Sequence, residues 1–284
     1  MSNRIERIGL YIPAYNASEY LERCLIAVKA IEYPVERVVV IDDGSRDASA
    51  SIARSMGVEV IAHDGNRGLS IARRTAFSNL ETPFIASLDA DCCPHPDWLT
   101  RLMAGFDSPV VGGVCGKLIE HHTESPVDCW RSLHMKQHWG DEPTDRPPYL
   151  FGNNNVFRRS AVIDAGGYPE SPEYRTNYED FFMSSRLKGR GWRLRYIPDA
   201  CVEHHRRDSL GSLYRTHWNW YFQGKPRPDT LRNLMWKLRD SAYWSVRYCL
   251  SDIAHRNWRA VSVSLGFAYA MARLDLDYYL DHRR

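Results

Sequence analysis

Three pairs of acidic residues are the groups in this chain best placed to do chemistry: Asp42-Asp43 in VVVIDDGS, Asp89 and Asp91 in SLDADCCP, and Glu179-Asp180 in NYEDFF. The first two pairs close apolar runs. An unpaired charge is costly to bury inside a strand, so acids at the C-terminal end of such a run face either water or a cation. Carboxylate oxygens are hard ligands, suited to Mg²⁺ or Mn²⁺. Each pair alone also reads as ordinary local structure. Asp-Gly and Asp-Pro neighbourhoods make turns, Asp91 before Cys92-Cys93-Pro94 could cap a helix, and acids are favoured at helix starts. Their conjunction is less easily explained that way.

The elements that must carry these acids can be read from periodicity. RIGLYIP, RVVVIDD, VEVIAH and PFIASLDAD read as four strands. Between them SEYLERCLIAVKAI has Leu21, Leu25, Val28 and Ile31 at helical spacing behind Ser18 as N-cap, GSRDASASIARSM reads as turn then helix, and GLSIARRTAFSNL as helix. Strand and helix alternating in this way predict a mainly parallel sheet covered on both faces. Ligands of such sheets sit at the C-terminal strand ends, beside a topological switch point. Asp42-Asp43 and Asp89/Asp91 would then face one crevice. Beyond Cys115 the pattern loosens. The stretch from His121 to Leu150 is polar and aromatic and reads as a long loop. NNNVFRRSAVIDAGG reads as strand and helix, NYEDFFMSSRLKGRG as a capped helix, and WRLRYIP as a strand. From Asp229 a helix is expected, with Leu231, Leu234, Leu238, Ala242 and Cys249 on its apolar face.

Composition narrows the function classes. The net charge of the 284 residues is only +2, but residues 204–284 carry 14 Lys and Arg against 7 Asp and Glu, with Trp218, Trp220, Trp236, Trp244 and Trp258 among them. A basic, tryptophan-rich segment fits contact with an anionic surface such as a membrane face, a helical cap on the fold, or a homodimer surface. It contains no nucleic-acid-binding motif, so no nucleic-acid partner is expected. Seven cysteines without framework spacing, and an N-terminus lacking a signal peptide's apolar core, point to a reduced, cytoplasmic protein. The apolar run AVSVSLGFAYAMA is shorter than the about 20 residues a bilayer span needs. The expectation is therefore a chain with no transmembrane segment that could still lie at the inner membrane face.

YIPAYNASEYLERCL, VVVIDDGSRDAS, NRGLSIARRTA, SLDADCCPHPDWL, GNNNVFRRSAVIDAGGYPE and YEDFFMSSRLKGRGWRLRYIPDACVEHH together resemble, in order and spacing, glycosyltransferase family 2. The resemblance runs to roughly Gly224. It implies an α/β GT-A fold: a Rossmann-like, mixed, mainly parallel sheet flanked by helices, with a helical C-terminal extension. The implied organisation is a GT-A domain over residues 1–224, its nucleotide-sugar half about 1–115 and its acceptor half about 116–224, followed by an extension over 225–284. The implied reaction is inverting transfer of a sugar from a nucleotide-diphosphate sugar to an acceptor hydroxyl, with Mn²⁺ or Mg²⁺. A UDP-sugar is the first expectation for the donor and GDP- or dTDP-sugars the next. The acceptor would be a glycan, a lipid-linked saccharide or another envelope or polysaccharide precursor. Asp91 would ligate the metal, with Asp89 turned to the ribose or to metal-bound water and His204 (alternatively His205) as a further ligand. Arg206 and Arg207 could instead grip the diphosphate. Pro13, Ala14, Tyr15 and Asn16 would form the nucleotide entry loop, Asp43 or Asp42 would accept from the base, and Arg73 would neutralise the diphosphate. Asp180, beside Glu179, would be the base that takes the acceptor's proton. Gly152, Asn153 and Asn154 would floor the acceptor site.

Two other classes remain as alternatives. A nucleotidyltransferase needs a glycine-rich loop after the first strand, where this chain has IPAYNASEY without glycine. A sugar-nucleotide-binding module without transfer activity should have lost Asp91, Asp180 or the late histidine, and all three are present.

Overall fold

The computed structural model describes residues 6–170, 178–222 and 225–282. The chain divides into two compact units, one formed by residues 1–119 and 137–206, the other by 120–136 and 207–284. The expected boundary at Gly224 lies outside the described residues, and the division falls elsewhere because residues 120–136 and 207–222 belong with the C-terminal helices.

The first unit is built on an eight-stranded mixed sheet, in the order β3-β2-β1-β4-β7-β6-β8-β5. In chain order its strands are β1 (Ile8–Ala14), β2 (Val35–Asp42), β3 (Glu59–Ala62), β4 (Phe84–Leu88), β5 (Cys92–Pro94), β6 (Val111–Glu120), β7 (Asn154–Arg158) and β8 (Arg193–His204). Strands β1 to β4 are mutually parallel where they pair, and β7 joins β4 antiparallel. Every residue of β1 is buried. Ile8, Leu10 and Ile12 pack on one face with Leu21, Leu25 and Val28 of helix α1 (Leu21–Lys29). Tyr11 packs on the other with Ala72 and Ala76 of α3 (Leu69–Asn79). A strand covered on both faces must be apolar throughout, which is why RIGLYIP carries no alternation. Helix α2 (Ser49–Ser55) follows β2, and α4 (Trp98–Ala104), α6 (Arg159–Asp164) and α7 (Glu179–Gly189) complete the unit.

Because β1 lies between β2 and β4, the chain leaves β1 to one side and later returns on the other. That is the switch point at which the loops after β1, β2 and β4 share one edge. The architecture agrees with the GT-A expectation. Two details differ. Strand β4 ends at Leu88, before the acids, and α1 begins at Leu21 with Tyr20 as N-cap rather than Ser18.

The second unit contains α5 (Pro126–His134), α8 (Leu210–Phe222), α9 (Leu231–Ala254) and α10 (Trp258–Asp281). Helix α5 lies in the stretch expected to be a loop. Its core centres on Trp130, which stacks on Phe267 at a ring separation of 5.8 Å and donates its indole N–H to Ser264 at 2.9 Å. The Ser264 hydroxyl donates to Asp252 at 2.6 Å, and His134 lies 2.7 Å from the other Asp252 oxygen. Helix α9 keeps only part of the expected apolar face: Leu234 is buried, Leu238 and Cys249 are half-buried, and Leu231 and Ala242 are exposed. Its inward side presents Lys237, Ser241, Ser245 and Asp252, whereas Leu231, Met235, Val246, Leu250 and Ile253 are exposed. The buried polar groups are tolerated because they find partners, Ser245 on the Ser264 carbonyl and Lys237 on Asp275. No helix among the described residues is long and apolar enough to cross a membrane.

Candidate active site

Arg73 of α3 organises the crevice. Its guanidinium is 1% exposed and reaches five partners: Glu179 Oε1 at 3.0 Å, Asp89 Oδ1 at 3.3 Å, the Ser87 hydroxyl at 2.5 Å, the Gly152 carbonyl at 2.9 Å and the Tyr11 hydroxyl at 3.3 Å. Burying a charge requires such a complete set of partners. Gly152 is a glycine because a Cβ there would stand 2.5 Å from the Arg73 guanidinium. The sequence expectation put Arg73 on the diphosphate. The structure instead spends its charge on two carboxylates, joining the loop after β4 to the start of α7.

At the tip of β4, Asp91 Oδ2 lies 3.3 Å from His204 Nε2. The pairing of β5 with β8 sets Cys92 opposite His204 and so brings its neighbour Asp91 alongside. Strand β8 alternates in burial, and His204 falls on the inward side. His205 is engaged differently, with Nδ1 2.9 Å from Arg23 and Nε2 3.3 Å from Glu203. Of the two histidines, His204 is therefore the one set beside Asp91. A carboxylate oxygen and an imidazole nitrogen converging on one edge suit Mn²⁺ or Mg²⁺ with remaining positions filled by other oxygens, so the donor set fits a divalent ion. Burial, together with the nearby Asp91 and Glu179 charges, raises the Asp89 pKa to about 6 against the opposing pull of Arg73. Cys92 is fully buried beside Asp91 and packs in the core; burial pushes its thiol pKa well up.

At the other side of the Arg73 fork, Glu179 is buried and its Oε2 has no hydrogen-bond partner. Asp180 is half-buried at the first turn of α7, and its Oδ1 accepts from the Phe181 N–H at 2.7 Å. Burial, reinforced by the adjacent Glu179, pushes the Asp180 pKa up to about 7. A carboxylate with such a pKa is suited to exchanging a proton near neutral pH. The two acids thus divide their work: Glu179 faces Arg73, and Asp180 is the more open of the pair.

Around the nucleotide-side loops, Pro13 and Ala14 are buried at the end of β1, whereas Tyr15 is half-exposed and Asn16 sits at a left-handed φ of 50°. Asn16 is tied to the β2 loop in both directions, its N–H donating to Ser45 and its side-chain oxygen accepting from the Arg46 N–H, each at 2.9 Å. Asp43, expected to accept from the base, has both oxygens accepting from the Arg67 and Gly68 N–H groups at 2.9 and 2.7 Å, and His63 lies 2.7 Å away. Its carboxylate secures the turn into α3, where Gly68 adopts a φ of 98°. Asp42 accepts from the Ser45 N–H at 3.2 Å.

The acceptor-floor expectation is corrected at Asn154. This side chain is fully buried, accepting from the Trp98 indole at 2.6 Å and donating to the Lys117 and Ala200 carbonyls. It braces the sheet. Asn153 donates to Gln137 at 2.7 Å and leaves its oxygen unpaired. Tyr11 and Ser87, which hold Arg73, were not singled out from sequence. A serine inside the apolar run PFIASL was the available signal.

Comparison with known proteins adds the following. The sequence profile described as "Glycosyl transferase family 2" matches residues 10–167. The "Pre-mycofactocin glycosyltransferase" of Mycobacterium tuberculosis is 30% identical over 212 residues, covering 72% of this chain and 43% of that protein. "Glycosyltransferase AglE" of Haloferax volcanii is 27% identical over 217 residues, covering 70% and 67%. This chain thus spans less than half the length of the first of these relatives. Among solved structures, the mannosyltransferase PcManGT from Pyrobaculum calidifontis in complex with GDP-Man and Mn²⁺ superposes with a TM-score of 0.61 at 18% identity, covering 96% of this chain and 88% of that one. S. aureus TarS 1-349 in complex with UDP-GlcNAc gives 0.56 at 18% identity, covering 74% and 64%.

Proposed function

Because the chain belongs to glycosyltransferase family 2, we propose that it transfers a sugar from a nucleotide-diphosphate sugar to an acceptor hydroxyl, with inversion. The carrying observation is the Arg73 fork. By bonding Asp89 on one side and Glu179 on the other, it ties the segment that carries Asp91, 3.3 Å from His204, to the segment that carries Asp180. The structural relatives bound to GDP-Man and UDP-GlcNAc support a nucleotide-sugar donor.

In this reading Asp91 and His204 would hold Mn²⁺ or Mg²⁺, which when bound supplies charge to stabilise the departing diphosphate. Tyr15 covers the base from the open end of the β1 loop. Asp42 accepts from the base edge, while Asp43 keeps the neighbouring loop in shape. Asp89 faces the donor's sugar side. Asp180 takes the proton of the acceptor hydroxyl as its oxygen bonds to the anomeric carbon. The bond from that carbon to the diphosphate oxygen breaks in the same displacement, and the nucleoside diphosphate leaves with the bonding pair. A carboxylate suits this step because the hydroxyl becomes acidic only as the new bond forms. The acceptor is a saccharide or lipid-linked saccharide hydroxyl, approached over Gly152 and Asn153.

A thermal-shift panel of UDP-, GDP-, dTDP- and CDP-sugars with and without Mn²⁺ tests the donor half, since a ligand bound only to the folded state raises stability by mass action. One base is expected to stand out and to require metal. Uniform shifts, or shifts insensitive to Mn²⁺, would refute the metal-held donor. Determining the anomeric configuration of product from that donor tests inversion.

A further inference from the structure

Within the second unit, α8, α9 and α10 contribute to a cavity of about 310 Å³. This is at the lower end of the roughly 300–1,000 Å³ typical of small-molecule sites and suits a single sugar ring with its substituents. Much of its wall is aromatic, with Trp218 and Tyr221 on α8, Trp244 and Tyr248 on α9 and Phe267 on α10. Two ion pairs also border it, Lys225 with Asp240, and Lys237 with Asp275 at 3.4 Å. The decisive group is His217. It is 5% exposed and lines the same cavity; Nε2 lies 3.3 Å from the Tyr248 hydroxyl, and Nδ1 has no hydrogen-bond partner. Burial, aided by Lys225, lowers its pKa to about 3, so the ring is neutral at physiological pH. A buried polar atom left unsatisfied costs free energy, and this one belongs to a side chain that lines the cavity.

We propose that this cavity is a second binding site, for a neutral saccharide ring. The chemistry of the wall excludes the other obvious ligand classes. A phosphate or nucleotide would meet the Asp240 and Asp275 carboxylates. A quaternary ammonium would suit the aromatic rings, but the ammonium groups of Lys225 and Lys237 already stand about 6 Å from the Tyr221, Trp244 and Trp218 ring centres. An acyl chain would desolvate both ion pairs and offer the His217 nitrogen no partner. A pyranose has what remains: a C–H face to lie against aromatic rings, and hydroxyls that accept from ammonium groups, donate to carboxylates and pair with a neutral imidazole nitrogen of either tautomer. The site lies wholly within the second unit and does not depend on the transfer reading.

Titration of the intact chain with methyl glycosides of glucose, galactose, mannose, rhamnose and N-acetylglucosamine, followed by tryptophan fluorescence and calorimetry, tests the site. At least one glycoside is expected to bind saturably. His217→Phe, which removes the orphan nitrogen, and Trp244→Ala, a change at a partly exposed position, should each weaken it about tenfold or more. Asp91→Asn should leave it unchanged while abolishing Mn²⁺-dependent nucleotide binding, which separates this site from the donor crevice. Three results overturn the proposal: no saturable binding of any glycoside, equal binding by both pocket variants, or binding lost in Asp91→Asn.

Discussion

Replacing Arg73 by methionine should expose how much of the crevice depends on one side chain. The stem packs much as before, but five acceptors lose their shared donor, and the Glu179 and Asp89 carboxylates lose their counter-charge. Glu179 suffers most, being buried with one oxygen already unpartnered. Breaking a buried ion pair by removing one partner costs about 3–5 kcal/mol. At about 2–4 °C per kcal/mol for a unit of this size, the midpoint of thermal unfolding should fall by roughly 6–20 °C. Arg73→Lys keeps the charge and loses the fork, so its loss should be smaller. The deficit of the methionine variant should also narrow as the pH is lowered, because Asp89, whose pKa burial already raises to about 6, is relieved by taking up a proton: the folded variant holds that proton more tightly than the unfolded chain, so its penalty is greatest at neutral pH and fades toward about pH 4. Differential scanning fluorimetry across that range measures all three effects. A methionine variant within about 1 kcal/mol of wild type at neutral pH would refute the description of Arg73 as the hub.

Asp180→Asn should retain metal-dependent donor binding yet lose about 10²–10⁴-fold in turnover, the usual worth of a positioned base. Since a base works only when deprotonated and the Asp180 pKa is raised to about 7, wild-type kcat/KM should drop roughly tenfold per pH unit below that value and level off above it; a flat profile between about pH 5 and pH 8 would speak against this assignment. His204→Ala should reduce the Mn²⁺-dependent part of the donor thermal shift, whereas His205→Ala should preserve it; equal losses would remove the distinction drawn from the Asp91–His204 geometry. Asn154→Ala should destabilise the fold by about 1–3 kcal/mol by stranding the Trp98 indole N–H, with donor affinity of the folded fraction unchanged, as denaturant titration and nucleotide binding would show.

The first half of the fold was legible because strands buried on both faces and helices with one apolar face leave distinct patterns, and because acids at strand ends are conspicuous against apolar runs. The roles within the site were less so. Whether Arg73 meets a ligand or the protein depends on β1, β4, the Gly152 loop and α7 arriving together, which no single segment encodes. Asp43 and Asn154 look like ligand-facing polar residues in sequence; their burial follows from neighbours far along the chain. Helix α5, by contrast, has a start signal in its sequence: Ser125 accepts from the Asp128 N–H, with Pro126 at the first turn. The aromatic, proline-bearing surroundings of that segment obscured it. The inward polar groups of α9 depart from the amphipathic reading because Lys237, Ser245 and Asp252 find partners across the helical hairpin.

The indole of Trp130 bonds to a hydroxyl 134 residues farther along, and this separation sets an order of events during synthesis. Residues 120–136 emerge from the ribosome early but can complete their core only after α10 has been made. At about 5–20 residues per second this is an interval of several seconds or more, during which an apolar segment has no final home. Delays in translating the last third of the chain, or its removal by truncation, should therefore show first as aggregation driven by α5 rather than as a failure of the sheet.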